Sequence, residues 1–365
     1  MSLVNVGLFV LGLALLILGA ETLVRGASRL ASGLGIPPLV IGLTVVAYGT
    51  GAPELTVSLT ALSQGQGDLS VGNVLGSNIA NILLILGVLA LATPLVVSRR
   101  LIRIDVPLMV AATIAAYAFS LDGRVARWEG SLLFAAALGY TVFLVRSSRP
   151  ARRPDDQGED YAAAMRRKTV GRENLFLYAA LVFAGLAMLI AGSRWLVAAA
   201  TGFARALQVS ELVIGLTIVA GGTSLPELAT SLFAALRGER DIAVGNIVGS
   251  SIFNLLVALG LAAASAPGGV GVSSAVLGFD YPVLLAASFA CLPIFFTGHR
   301  IARWEGALFL GYYAAYIVYL ALHARAHSVL PLYSSAMVTF AAPLTFITLA
   351  VLSARQWRAR QVRAA

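Results

Sequence analysis

The sequence predicts an all-α polytopic membrane protein. Two inverted five-helix repeats form a ten-span core, one extra C-terminal span follows, and the orientation is N-out/C-in. Three observations predict this. Charged residues make up only 12% of the chain and hydrophobic ones 59%, whereas a soluble domain carries about 25% charge. Residues 40–87 and 213–260 align without a gap at a shift of 173, with about 27 of 48 positions identical. Finally, 21 of the 26 Lys and Arg residues fall in loops assigned to one side, which the positive-inside bias makes the cytoplasm.

Eleven apolar runs are long enough to be spans: 5–24, 38–63, 71–93, 104–121, 129–146, 175–196, 211–236, 244–265, 280–297, 304–322 and 334–353. The first lacks a charged n-region and an A-x-A-like site, so it reads as a retained helix and not a cleaved signal. Runs two and three hold the first copy of the repeated stretch, with Asp68 between them as a cap or vestibule charge. Runs four and five flank RVARWEG at 124–130, which returns as RIARWEG at 300–306 before run ten. Trp128 and Trp304 suit an interface position there. Residues 147–174 mix both charge signs with Pro and Gly and read as a solvated cytoplasmic linker, in preference to a lipid-binding or regulatory segment. Run six repeats run one at Ile17/Ile190, Gly19/Gly192 and Leu23/Leu196. Runs seven and eight hold the second copy, with Asp241 matching Asp68. Run eleven has no partner. Five spans before the linker force the second half to enter from the opposite side, which inverts the copies. The organisation is therefore 1–146 first repeat, 147–174 linker, 175–323 second repeat and 324–365 extra span with a basic tail.

The net charge of +9 orients helices and does not point to a nucleic-acid partner. Cys291, the single cysteine, excludes an internal disulfide and a cysteine-based metal site. Glu21 and Arg194 occupy equivalent positions, but inversion puts them at opposite ends, so each snorkels to its own interface. His299, His323 and His327 lie near helix ends without counterparts and receive no ligand role.

The chemistry sits in the copies. Each carries Gly-Thr-x-x-Pro-Glu within an apolar run: Gly49, Thr50, Pro53, Glu54 and Gly222, Thr223, Pro226, Glu227. Proline and glycine break a helix there, and non-helical backbone at membrane depth is tolerated only inside protein or against water. Freed carbonyls, a Thr hydroxyl and a carboxylate are the oxygens that hard cations prefer. An intramembrane carboxylate costs about 2.5 kcal/mol or more. A protonated Glu bridging two helices is the bland alternative, and the doubling within an inverted repeat argues against it. Asn73, Ser77 and Asn81 share a helix face, as do Asn246, Ser250 and Asn254. Their glycines serve close packing. Ser77, Asn81, Ser250 and Asn254 are read as cation ligands, and Asn73 and Asn246 as partners for helix-start donors.

These stretches resemble the α-repeats of the cation/calcium antiporter superfamily, and the Gly-Thr-x-x-Pro-Glu form is similar to its sodium/calcium exchanger branch. The resemblance covers roughly 5–322. It implies a site formed by Thr50, Glu54, Ser77 and Asn81 with Thr223, Ser224, Glu227, Ser250 and Asn254, aided by the carbonyls of Ala47 and Ala220. It also implies that helices one and six slide to alternate access. Two departures stand out. Gly51 replaces the Ser of the exchanger pattern, which leaves a flanking monovalent site one hydroxyl short. Asn254 replaces an Asp of some branches, so two carboxylates remain, enough to balance one Ca²⁺, two Na⁺ or two H⁺.

The expected function is Ca²⁺ exchange for Na⁺ across the cytoplasmic (inner) membrane, with H⁺ as the alternative counter-ion. Monovalent cation/H⁺ antiport is the runner-up and a cation channel the distant rival. An enzyme is not expected, since neither a nucleophile–base pair nor a metal-type His cluster is present. No cofactor is called for beyond the transported ions, and no obligate protein partner is evident. The lipid bilayer is the one surrounding partner.

Overall fold

The computed structural model describes residues 3–148, 174–207, 220–296, 299–325, 327–337 and the isolated positions 339, 343, 345, 348 and 350. The linker, the first half of run seven, most of run eleven and the basic tail lie outside the described residues.

Chain order gives α1 (Leu3–Leu34), α2 (Pro38–Thr50), α3 (Ala52–Ser63), α4 (Gly67–Ala92), α5 (Leu101–Ser120), α6 (Arg127–Ser147) and α7 (Leu175–Ala206). A short turn at Ala220–Gly222 precedes α8 (Leu225–Leu236), α9 (Arg240–Ser265), α10 (Val276–Phe296), α11 (Arg303–Ala324) and α12 (Leu330–Ala336). Among the described residues, eight helices are long and apolar enough to cross a membrane. The pair α2 and α3, bent by 41°, makes a ninth span when taken together.

Helices α1 and α7 depart from expectation. Each has 32 residues, roughly 48 Å at 1.5 Å per residue, against about 30 Å of hydrocarbon. The sequence reading ends them near 24, before Arg25, and near 196, two residues past Arg194. The helices continue because those charges stay outside the packing: Arg25 pairs with Glu21 one turn away, and Arg194 is exposed. The two helices lie against each other along glycines spaced seven apart. A Cβ on Gly19 would sit 2.9 Å from the Leu189 nitrogen, and one on Gly192 would sit 2.8 Å from the Gly12 oxygen. Backbones approach this closely only where side chains are absent.

The inversion is written in two small strand pairs. β1 (Leu95–Val96) pairs antiparallel with β4 (Arg300–Ile301), and β2 (Arg124–Val125) pairs with β3 (Val270–Gly271). In the repeat alignment β1 is equivalent to β3 and β2 to β4. Each pair therefore joins one half's element to the other half's non-equivalent one, so equivalent elements sit at opposite ends of the bundle.

The repeated ARWEG segment is a structural device. Glu129 accepts the Ala126 N–H at 2.8 Å and Glu305 accepts the Ala302 N–H at 2.7 Å, capping the starts of α6 and α11. Behind each cap comes a close crossing. A Cβ on Gly130 would lie 2.7 Å from the Gly260 oxygen, and one on Gly306 would lie 2.8 Å from the Gly87 oxygen. Trp128 and Trp304 point outward, and Cys291 is buried. Glu21 does not meet Arg194; Arg237 donates to it at 2.8 Å.

Helices α4 and α9 run through the middle. Gly249 brings α9 onto α2, where an added Cβ would lie 2.8 Å from the Ala47 Cβ. Both central helices widen into a π-helical turn at equivalent places, Ala80–Ile85 and Asn254–Ala258. Such turns often mark functional sites.

Candidate cation site

The Gly-Thr-x-x-Pro-Glu motif folds the same way twice. In the first copy, α2 ends at Thr50, Gly51 caps the next segment, and Pro53 and Glu54 lie in the first turn of α3. In the second, Ser224 is the cap, with Pro226 and Glu227 in the first turn of α8. Proline is at home there because first-turn N–H groups have no helical partner. A carboxylate in a first turn sits at the positive end of the helix dipole, which favours its charge. Both glutamates are about 1% exposed.

The two copies meet. Ser224 Oγ donates to Glu54 Oε1 at 3.4 Å. Thr50 faces Glu227 in return and donates to Asn246 Oδ1 at 3.1 Å. Ser250 Oγ lies 3.5 Å from both Thr50 Oγ1 and the Ala47 oxygen. Ser77, Asn81, Ser250 and Asn254 are buried, and Asn81 and Asn254 sit in the π-helical turns. Thr223 is half-buried. Ala220 opens the Ala220–Gly222 turn.

Among the described residues, six buried oxygens at this place have no hydrogen-bond partner: Glu54 Oε2, Glu227 Oε2, Ser77 Oγ, Asn81 Oδ1, Thr223 Oγ1 and Asn254 Oδ1. Leaving a buried acceptor unmatched costs about 1–3 kcal/mol each. Carboxylate, amide and hydroxyl oxygens together suit a hard cation.

Three expectations are corrected. Asn73 and Asn246 do not serve helix-start donors. Each donates to the carbonyl of the repeat's glutamate, Asn73 to Glu54 at 3.0 Å and Asn246 to Glu227 at 3.5 Å, and to Ser58 or Ser231 at 3.0 and 2.9 Å. They lock α4 to α3 and α9 to α8. The Ala47 carbonyl is not freed by the break, since the Gly51 N–H donates to it at 3.0 Å. Asp68 and Asp241 are not the caps; Gln66 and Glu239 hold those positions, and the aspartates lie in the first turns of α4 and α9.

Sequence reasoning passed over Asn78, whose buried amide has neither its donor nor its acceptor matched among the described residues. Its counterpart Ser251 satisfies itself on the Ile247 oxygen at 3.0 Å. The extra Asn beside Ser77 was the available signal.

Fold and centre together define a class: a helical membrane transporter whose two repeats bring broken helices to a buried, oxygen-lined centre. Residues 4–146 and 177–322 match the family described as sodium/calcium exchanger protein, and the chain belongs to that family. It is 40% identical to the inner membrane protein YrbG of Escherichia coli, over 88% of this chain and 97% of the relative. It is 42% identical to the putative antiporter CaxA of Alkalimonas amylolytica, over 85% and 96%. The sodium/calcium exchanger MaX1 of Methanosarcina acetivorans is 33% identical, over 88% and 99%. A solved structure of the sodium-calcium exchanger NCX_Mj superposes with a TM-score of 0.74 at 31% identity, covering 88% of this chain and 100% of that one. The protein is thus a multi-pass membrane transporter of the cation/calcium antiport class.

Proposed function

We propose that the protein is a secondary antiporter that exchanges Ca²⁺ for Na⁺ across the cytoplasmic membrane by alternating access. One observation carries the reading: six buried oxygens unmatched among the described residues, two of them carboxylate, contributed by both repeats where their broken helices meet. Glu54 and Glu227 are the shared anions for which the ions compete. Thr50, Thr223, Ser224, Ser77, Ser250, Asn81 and Asn254 supply neutral oxygens, with the carbonyl of Ala220 beside them. An oxygen set on flexible helix breaks favours Ca²⁺ over Mg²⁺, which dehydrates reluctantly. Coupling follows from charge, because moving the empty centre would carry two uncompensated carboxylates through the membrane.

The bundle is read as ten core spans and an eleventh, N-out/C-in, from the loop charges. The cytoplasmic membrane is supported by the name of the E. coli relative. Helices α1 and α7, joined by their glycines, form the body that slides past the centre. Na⁺ as counter-ion is supported by the family and by the MaX1 name. H⁺ is the second reading, since two protons neutralise two carboxylates as well as two Na⁺ do.

The test is ⁴⁵Ca²⁺ uptake into proteoliposomes holding the purified chain, under an imposed Na⁺ or H⁺ gradient. Uptake should follow the Na⁺ gradient and disappear in Glu54→Gln and Glu227→Gln. A flux that needs neither gradient, with large currents, would make the protein a channel.

A further inference from the structure

The two flanks of the centre are built differently, although the repeat makes them equivalent. Three positions carry the difference. On one flank stand Tyr48, Gly51 and Phe253; their counterparts in the repeat alignment are Gly221, Ser224 and Ala80. Where one flank has two rings and a bare glycine, the other has two small residues and a serine hydroxyl.

The geometry shows what the rings do. A Cβ on Gly51 would lie 2.7 Å from Phe253 Cδ1 and 2.9 Å from its Cε1. The Phe253 ring therefore occupies the volume that a serine side chain at position 51 would need. It is buried, and the Tyr48 ring lies 4.9 Å away, centroid to centroid, so it is wedged from behind. The Tyr48 hydroxyl points elsewhere, to Thr141 Oγ1 at 2.6 Å. The other oxygens on this flank are already matched to protein: the Ala47 carbonyl accepts the Gly51 N–H at 3.0 Å and lies 3.5 Å from Ser250 Oγ, and Thr50 Oγ1 donates to Asn246 Oδ1 at 3.1 Å. On the opposite flank the Ser224 hydroxyl reaches the Glu54 carboxylate at 3.4 Å.

We propose that Phe253 and Tyr48 close the Gly51 flank of the centre to ions, so that one Ca²⁺ exchanges for two monovalent cations and the cycle moves no net charge. This deepens the antiport reading and rests on it. Two carboxylates with one open flank hold either a divalent ion or two monovalent ones. A third monovalent ion would need oxygens at position 51, where the chain offers a ring edge. The count applies to whichever monovalent ion drives exchange.

The experiment uses the full chain in proteoliposomes with valinomycin and set K⁺ gradients. Steady-state ⁴⁵Ca²⁺ accumulation under a fixed Na⁺ or H⁺ gradient is compared at zero potential and at about 60 mV. A cycle carrying one net charge changes the accumulation ratio about tenfold at that potential; the expected result is a ratio unchanged within about twofold. A tenfold shift overturns the proposal while leaving antiport intact. Uptake that no gradient drives overturns antiport and this inference with it. The double variant Gly51→Ser/Phe253→Ala rebuilds the Ser224/Ala80 arrangement and should make accumulation respond to potential. An active double variant that stays insensitive overturns the assignment to these two residues. The wild-type comparison decides the ion count by itself, whether or not the double variant folds.

Discussion

Glu54 and Glu227 owe their position to the three residues before them. A cap without a helix-favouring side chain, an apolar residue and a proline start a new helix, and the glutamate falls in its first turn. Replacing either with Gln removes a charge that, in the proposed exchange, competing cations share. We expect at least about a 100-fold loss of gradient-driven Ca²⁺ uptake, near the 3 kcal/mol that a charge-assisted contact carries. The same variants should lose the thermal stabilisation that Ca²⁺ gives the wild type. At saturating ion that stabilisation is about 2.7 kcal/mol at 100 times Kd, read as a shift in Tm in detergent. Asn73 tests positioning. Asn73→Ala strands the Glu54 carbonyl and Ser58, so it should cost about 1–3 kcal/mol in a melting experiment and lower uptake without changing which ion drives it. The glutamates were legible in the sequence because a repeated carboxylate in apolar surroundings needs a reason. The role of Asn73 was not, because an amide can donate or accept, and only the neighbouring helix decides which.

Among the elements, the pair α1 and α7 carries the heaviest constraint. Its glycines recur every seven residues, which returns each to nearly the same helix face. Gly19→Leu or Gly192→Leu would drive a side chain into backbone at 2.8–2.9 Å. We expect loss of folded protein, or a melting point lower by the equivalent of about 1–3 kcal/mol, measured by size-exclusion and thermal denaturation. Gly7→Leu, where nothing lies within 4 Å of an added Cβ, should be silent. The sequence places both helices but ends each of them about ten residues early. A helix ends where its backbone partners or its packing end, and an exposed arginine ends neither. The caps formed by Glu129 and Glu305 were hidden for the opposite reason. They sit in a conspicuous motif, yet their partner is a backbone N–H three residues back.

At the scale of the whole molecule, the strand pairs β1–β4 and β2–β3 tie each repeat to the other at both ends. They put the loop after α4 beside the loop after α10, and the loop after α5 beside the loop after α9. On the proposed loop-charge reading, the end that carries β1 and β4 is the cytoplasmic one. A cytoplasmic reporter fused after Ala365 should be active and a periplasmic one silent. The reverse result would remove the eleventh span or flip the bundle.

The amino-acid sequence by itself determined the membrane class, the internal repeat, its inversion and the oxygen-bearing residues of each copy. Those follow from composition, parity and motif, which are local or countable. Only the tertiary structure decided how the copies face one another. It joined Ser224 to Glu54, turned Asn73 and Asn246 into braces, and set the Phe253 ring into the space beside Gly51. Each is a contact between residues far apart in the chain, where the outcome depends on which backbone comes close enough. In the repeat Gly51 and Ser224 are one position; in space one faces a ring and the other a carboxylate.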